Sequence, residues 1–367
     1  MSAAIKNQMN TVSKDQTGKL KYKEISNRIA LLIDNGTYKY QQRLPSEAEL
    51  CTQYNVSRQT IRNSLEELTV KGYINRVKGS GSYVKRQVRR REKSIGVLFC
   101  EVGDYINSNI LNGLENVFSK NGYDIILKSS HNKIGNETLF LKQMLSSNVS
   151  GLIIEACKSN FPTPNVDLYQ QLADEGIPYV FVNSYYHNLK APAVVWDDYN
   201  VSYQLTTSLI DSGHQDISCL FMFDTLQGVM RYLGFVRAFI DHHLDVQENR
   251  IFWYSSIMQG DSSMVTNQSL DAFIDSVIKD CSAMLCYNDL AAIYVMKHFF
   301  NAGSPIPSNF SIMSFDNSDM LKLYGIDHVQ SASHPKEKMG KCAAELLLKY
   351  IDNLEFNSSD PEIITIQ

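Results

Sequence analysis

The stretch Leu44–Val84 reads LPSEAELCTQYNVSRQTIRNSLEELTVKGYINRVKGSGSYV. Pro45 at a first-turn position, followed by Ser46, Glu47 and Glu49 ahead of Leu50, marks a helix start. A second helix begins after Ser57, whose hydroxyl suits an N-cap accepting the amide of Thr60. Ile61, Leu65 and Leu68 form its buried face, and Gly72 stops it. Tyr73–Val77 and Ser82–Val84 then flank Lys78-Gly79-Ser80-Gly81, the pattern of a β-hairpin around a glycine-rich turn. Upstream, LKYKEISNRIALLIDN (residues 20–35) places Ile25, Ile29, Leu32 and Ile33 on one helical stripe before Gly36. Residues 19–86 therefore read as three helices and a hairpin, a winged helix-turn-helix.

Charge separates this module from the rest of the chain. Residues 19–93 carry 17 Lys and Arg against seven Asp and Glu, whereas residues 94–367 carry 16 against 31. A small basic module joined to a larger acidic one implies that only the first part meets a polyanion. Residues 87–93, within the run KRQVRRREK, read as a basic linker, and residues 1–18, polar and without an apolar core, as a disordered segment that is no secretion signal. The sequence holds no apolar run long enough to cross a membrane. Seven cysteines without a Cys-x-x-Cys pair argue against a disulfide framework and a structural zinc. Free thiols in a reducing cytoplasm are expected, with Cys100, Cys157, Cys219 and Cys286 in or beside apolar runs, and no metal or cofactor.

From Ser94 short apolar runs alternate with helical stretches: SIGVLFCEV, a helix near 110–121, YDIILKSS, a helix near 137–147, VSGLIIEA, IPYVFVN and AVVWDD. Leu98, Ile126, Ile153 and Val180 recur at 28, 27 and 27 residues, the length of a βα unit with parallel pairing. After a helix near 199–212 the rhythm resumes with ISCLFMF, IFWY, SAMLCY and FSIMSF, and HVQSASHP is a candidate return to the first half. Residues 94–367 thus read as a two-lobed, doubly wound α/β domain, with its ligand site expected in the cleft at the carboxyl ends of the strands.

The second helix of a helix-turn-helix presents its first residues to base edges. Here Arg58 and Arg62 share a face with Gln59 beside them. Arg suits guanine and Gln suits adenine, at about 1–3 kcal/mol of discrimination per bidentate pair. Arg43 and the linker basics suit phosphate contacts. Residues 44–84 resemble the winged helix of the gluconate-repressor (GntR) family along their whole length. That resemblance implies a dimer on a near-palindromic DNA operator. Carried over by position, it implies DNA-facing roles for Ser57, Arg58, Gln59, Thr60 and Arg62, and for Lys78 and Gly79 at the wing. Ser46 is also taken as a DNA-facing candidate.

The second part resembles the effector domain of the lactose/galactose-repressor family, itself similar to periplasmic sugar-binding proteins. The motifs that carry this are SIGVLFCEV, GLIIEA, GVMRYLGF, CYNDLAA and SFDNSD. The combination of this body with a GntR-type head resembles arabinose-responsive repressors, and implies a small sugar effector, L-arabinose favoured. The departure from the lactose-repressor plan is a head of different type without its hinge helix. A polyol needs donors, acceptors and an aromatic face. Arg231 offers a fork of donors, Asn288 both donor and acceptor, and Asp316 and Glu155 acceptors. Tyr105 and Trp196 are candidates for the ring face, and Lys158, Gln227 and His334 complete the set. Competing readings stand beside these: Trp196 as core, Asp289 as a helix cap, and Glu155 with Lys158 as a surface ion pair.

Enzyme signatures are missing. The sequence contains no phosphate-binding glycine loop, no H-E-x-x-H and no G-x-S-x-G. Asp197 and Asp198 are adjacent, and on a strand would face opposite ways. The remaining alternatives are a repressor answering another sugar or a sugar phosphate, and a DNA-binding protein indifferent to any small molecule.

Overall fold

The computed structural model describes residues 21–33, 36–85, 92–103, 105–257, 268–303, 306–353 and 362–366. The chain divides into two compact units between Arg90 and Arg91. Residues 1–18 and most of the linker expected at 87–93 lie outside the described residues. The last two linker positions belong to the second unit: the Glu92 amide donates to the Asn148 carbonyl, and the Asp124 amide to that of Lys93, each at 2.8 Å.

The first unit comprises α1 (residues 21–33), α2 (Glu47–Tyr54), α3 (Arg58–Val70), β1 (Ile74–Val77) and β2 (Gly81–Val84). Ile25, Ile29 and Ile33 of α1 meet Leu50, Ile61, Leu65 and Leu68 in one core, while Leu32 is only half-buried. Ser46 and Glu49 form a capping box that starts α2, each side chain bonded to the other's amide. Asn55 ends α2 in the left-handed region (φ 49°), and Ser57 opens α3 by accepting the Thr60 amide at 3.2 Å. The hairpin pairs Ile74 with Val84 and Val77 with Gly81. Gly79 turns it with φ 79°, a conformation that costs glycine little.

The second unit is built as two parallel sheets. The first lobe contains β3 (Ser94–Phe99), α4 (Tyr105–Phe118), β4 (Asp124–Ser129), α5 (Ile134–Ser146), β5 (Gly151–Ile154), α6 (Val166–Asp174), β6 (Tyr179–Val182) and β7 (Ala193–Trp196). The second contains α7 (Asp198–Asp211), β8 (Ile217–Met222), α8 (Leu226–Asp241), β9 (Ile251–Tyr254), α9 (Gln268–Val277), β10 (Ala283–Cys286), α10 (Asp289–Asn301), β11 (Ser311–Asp316), α11 (Asp319–Leu323) and β12 (Val329–Ser333). The chain then returns: α12 (Lys336–Asn353) packs on α4, and β13 (Ile363–Ile366) pairs with β7. The orders are β4-β3-β5-β6-β7-β13 and β9-β8-β10-β11-β12, each reversing direction around its first strand. β3, β5, β6 and β8 are buried throughout because helices cover both faces.

Three expectations change. Most of HVQSASHP stays in the second lobe, where Val329–Ser333 form β12 beside β11, and only its last two residues, His334–Pro335, lead back to the first lobe. The helices expected near 110 and 137 begin earlier, at Tyr105 and Ile134, whereas the one expected near 199–212 is found at Asp198–Asp211. Among the thiols, Cys281 is buried and Cys100 only partly so.

Helices α4 and α12 meet backbone to backbone. A Cβ on Gly113 would lie 2.2 Å from the Glu337 carbonyl oxygen, and one on Gly340 would lie 2.1 Å from that of Ile110. No flexible side chain is available to give way. Gly340→Ala is therefore expected to destabilise the second unit by about 1–3 kcal/mol, as overpacking does. Urea unfolding measures this, and an unchanged midpoint would show that the helices separate freely.

Candidate effector cleft and DNA-facing surface

In the first unit Arg58, Gln59 and Arg62 lie on the exposed side of α3. Gln59 donates to Asn63 at 2.9 Å. Arg62 pairs with Glu47 at 3.0 Å, and Arg76 on β1 reaches the other oxygen of the same carboxylate at 2.9 Å. Glu47, absent from the candidates, thus ties the second helix to the wing; its signal was an acid heading α2 beside a basic surface. Ser46 and Ser57 have their hydroxyls occupied as caps, and Thr60 Oγ1 lies 2.9 Å from Ser57 Oγ. Arg43 bridges to Tyr83 and its guanidinium lies over Gly81. Lys78 and Gly79 are exposed at the hairpin tip.

In the second unit the candidates gather around Arg231. This residue is 3% exposed at the inner face of α8. Its Nε donates to Asp198 at 2.7 Å, Nη1 donates to the Tyr287 carbonyl, and Nη2 lies 3.8 Å from Asp316 Oδ1. Its guanidinium carbon sits 4.2 Å from the Phe315 ring centroid, 4.7 Å from that of Tyr287 and 5.6 Å from that of Trp196. Burial opposes its charge, but Asp198 and Asp316 outweigh burial and hold its pKa above the ordinary arginine value. Both carboxyls are in turn pushed up by burial and drawn back by Arg231; Asp316 reaches about 6.

Asp316 also joins the lobes. Tyr105 on α4 donates to its Oδ2 at 2.7 Å, and Lys336 donates to its backbone carbonyl. Asp316 adopts φ 99°, a strained conformation for a non-glycine residue. Its Oδ1 is buried without a hydrogen-bond partner, as is Nδ1 of His334. Burial, with Arg231 and Lys336 nearby, keeps His334 well below the usual histidine pKa and therefore neutral. The His334 ring lies 4.5 Å from Trp196, which is buried against Phe315 as well. Trp196 is both core and wall. A cavity of about 170 Å³ is lined in part by Trp196, Asp198, Gln227, Asn183 and Met230. Arg231, Asp316 and His334 do not line it.

Other candidates stand apart. The competing reading of Glu155 and Lys158 as a surface ion pair is not met. Glu155 is buried and accepts from the Cys100 amide (2.7 Å), Asn107 (3.0 Å) and Asn183 (2.8 Å), which secure the strand ends of the first lobe. Burial raises its pKa and these donors restrain the rise. Lys158 instead pairs with Asp224 of the second lobe. Gln227 donates to the Asn183 carbonyl at 3.1 Å. The cap of α10 is Asn288, whose Oδ1 accepts the Ala291 amide at 3.0 Å, and not Asp289. Asp289 turns inward and accepts from Ser314, Ser331 and the Ser318 amide. Asp198, Lys336 and Tyr287 were missed; a buried arginine on an amphipathic helix was the signal to look for acids at neighbouring strand ends.

A winged helix joined to a two-lobed parallel α/β body defines a transcription regulator with an effector domain. Residues 21–84 match the bacterial regulatory proteins of the gntR family, and residues 206–365 match the periplasmic binding protein-like domain. The arabinose metabolism transcriptional repressor of Geobacillus stearothermophilus is 32% identical over 336 residues, 90% of this chain and 91% of the relative. The repressor of the same name from Halalkalibacterium halodurans is 29% identical over 343 residues, 90% and 89% of the two chains. The chain belongs to the family of arabinose metabolism transcriptional repressors, and is a DNA-binding transcriptional repressor. Solved structures share the fold: the transcription regulator CcpA of Lactococcus lactis (TM-score 0.63, 22% identity, 75% of this chain and 96% of that one), and a CelR–cellobiose complex (TM-score 0.63, 19% identity, 85% and 89%). Among the described residues no helix is long and apolar enough to cross a membrane.

The raised pKa of Asp316 has a stability consequence. Its folded value lies above the unfolded one, so its contribution is present below the unfolded pKa of 3.8 and lost as pH rises through about 6. Asp316→Asn removes that dependence. The stability of the variant relative to the parent is expected to rise between pH 4 and 7, by about 3 kcal/mol at most. Urea unfolding at several pH values checks this, and a pH-independent difference would mean that the carboxyl titrates normally.

Proposed function

We propose that the protein is a cytoplasmic homodimer that grips an operator through α3 and the wing, and releases it when L-arabinose enters the cleft around Arg231. The observation that carries the effector half is the pair of buried, unpartnered acceptor-capable atoms, Asp316 Oδ1 and His334 Nδ1, beside a guanidinium and the Trp196 ring. A polar atom buried without a partner costs about 1–3 kcal/mol. A polyol supplies hydroxyl donors to both atoms and a C–H face to the indole, which an apolar or anionic ligand does not. The names of the relatives support arabinose among the sugars. In the DNA half, exposed Arg58 and Gln59 at the start of α3 are the base-reading candidates, with Arg62 and Arg76 beside them. An exposed apolar face on the second lobe, including Phe300, Leu323 and Tyr324, supports self-association.

Thermal melting with a panel of L-arabinose, D-ribose, D-xylose, D-galactose and their phosphates tests the reading. A ligand at about 100 times its Kd stabilises by about 2.7 kcal/mol, and L-arabinose is expected to shift the melt alone. A shift with another sugar replaces the effector, and no shift with any removes the sugar from the mechanism. Arg231→Ala is expected to abolish the shift while operator DNA is still bound and no longer released. Arg58→Ala is expected to lose the operator and keep the shift. A loss of both functions in either variant would indicate misfolding. Below about pH 6, protonation of Asp316 removes an acceptor, so sugar affinity is expected to fall there in the parent and not in Asp316→Asn.

A further inference from the structure

We propose that Lys158, Asn132, Asp224 and Ser256 form a clasp that holds the two lobes shut in the absence of effector and thereby sets effector affinity. The proposal rests on the effector-cleft reading. The four residues follow β5, β4, β8 and β9 respectively. Lys158 Nζ pairs with Asp224 and donates to Ser256 Oγ at 2.9 Å, while Asn132 Nδ2 donates to the same hydroxyl oxygen. Ser256 returns its amide to Asp224 Oδ1 at 2.9 Å and its hydroxyl to Oδ2 at 2.8 Å. Within the first lobe, Asn132 Oδ1 accepts the Lys158 amide at 2.8 Å. Flanking contacts cross at the same place. The Leu226 amide donates to Ser159 Oγ at 2.9 Å, Asn160 Nδ2 to the Phe223 carbonyl at 2.8 Å, and the Phe161 and Phe223 rings meet edge-on at 6.5 Å.

Three features separate the clasp from the Arg231 site. The first is position. The chain passes between lobes next to β7 and β12, and the Arg231 site draws on the ends of β7, β10, β11 and β12, with Tyr105 after β3 reaching Asp316. The clasp occupies the opposite flank of both sheets, where β4 and β9 are edge strands. Asn132 and Ser256, after the edge strands β4 and β9, lie away from the crossovers, where a link opposes opening with a long lever. The second is saturation. Both oxygens of Asp224 are engaged, and its side chain is 2% exposed, so it has little capacity for a ligand. The third is backbone strain. His131, Asn132 and Lys158 all adopt left-handed φ (49°, 50° and 50°), a conformation that persists in non-glycine residues where surrounding contacts over-determine it. Lys158, a sugar-contact candidate by sequence, is thus a positioning residue. If the effector binds the closed form, its apparent affinity is reduced by the fraction of molecules that are open.

Hydrogen exchange on the full chain without any ligand tests the clasp directly. Ser256→Ala removes the shared hydroxyl and strands no charge. It is expected to speed exchange of the 156–161 and 223–227 amides at least fivefold, with other second-unit strands unchanged. Equilibrium binding of L-arabinose is expected to weaken at least fivefold in Ser256→Ala and in Asp224→Asn. The double variant Lys158→Met/Asp224→Asn is expected to bind no more weakly than Asp224→Asn alone, because the two groups act as one unit. Unchanged exchange in both Ser256→Ala and Asp224→Asn overturns the clasp. Losses that multiply in the double variant also overturn it, by placing Lys158 on the sugar. If the parent binds no sugar, the effector reading fails while the exchange result still decides the clasp.

Discussion

Arg231 imposes the central constraint on the effector domain. A guanidinium at this depth is tolerated only with carboxylates to neutralise it and acceptors to absorb its hydrogens. Asp198, at the start of the helix that enters the second lobe, satisfies one side, and the Tyr287 carbonyl at the end of β10 another. Asp316 is held farther off, at 3.8 Å, with one oxygen left unpartnered. The three aromatic rings around the guanidinium keep water away and strengthen each of these interactions. Most of the cleft floor is arranged by the needs of one cation, and the pairing with Asp316 is its least complete part.

The topology divides tasks between the flanks of the sheets. The crossovers beside β7 and β12 define an axis about which the lobes can turn. Tyr105 reaches from α4 to Asp316, and Lys158 reaches from the end of β5 to Asp224. Contacts near an axis change little in length as the lobes part, whereas contacts on the far flank break early. Close helix packing at Gly113 and Gly340 makes the return segment part of the first lobe rather than a loose strap.

Much of this was legible in the sequence, and the failures have physical causes. The regular recurrence of apolar runs revealed the strands because burial on both faces leaves no polar alternation to confuse the pattern. Ser57 was readable as a cap because capping is local. Asp198 was overlooked because the Asp197–Asp198 pair was treated as strand, with side chains on opposite faces. Asp197 in fact caps α7, and Asp198 lies in its first turn and turns inward. Asn288 holds the cap expected of Asp289 through a one-residue shift of a helix start, and Asp289 turns inward onto Ser314, Ser318 and Ser331. The pairing of Lys158 with Asp224, 66 positions away on the other lobe, has no local signal in the sequence.

Glu47 gives the head a property that its net charge conceals. Binding of duplex DNA without regard to sequence draws on counterions released as phosphates are neutralised by Lys and Arg. Two of the cations beside the second helix already have an anion, and that anion is fixed to the same small domain. Any phosphate approaching Arg62 or Arg76 has to displace a carboxylate held at 2.9–3.0 Å before it gains anything. Indiscriminate adhesion to the bulk of a genome is weakened by this internal competition. A site whose bases also engage Arg58 and Gln59 has further interactions with which to meet that cost, so an acidic residue in a basic surface sharpens the difference between the right sequence and all the others.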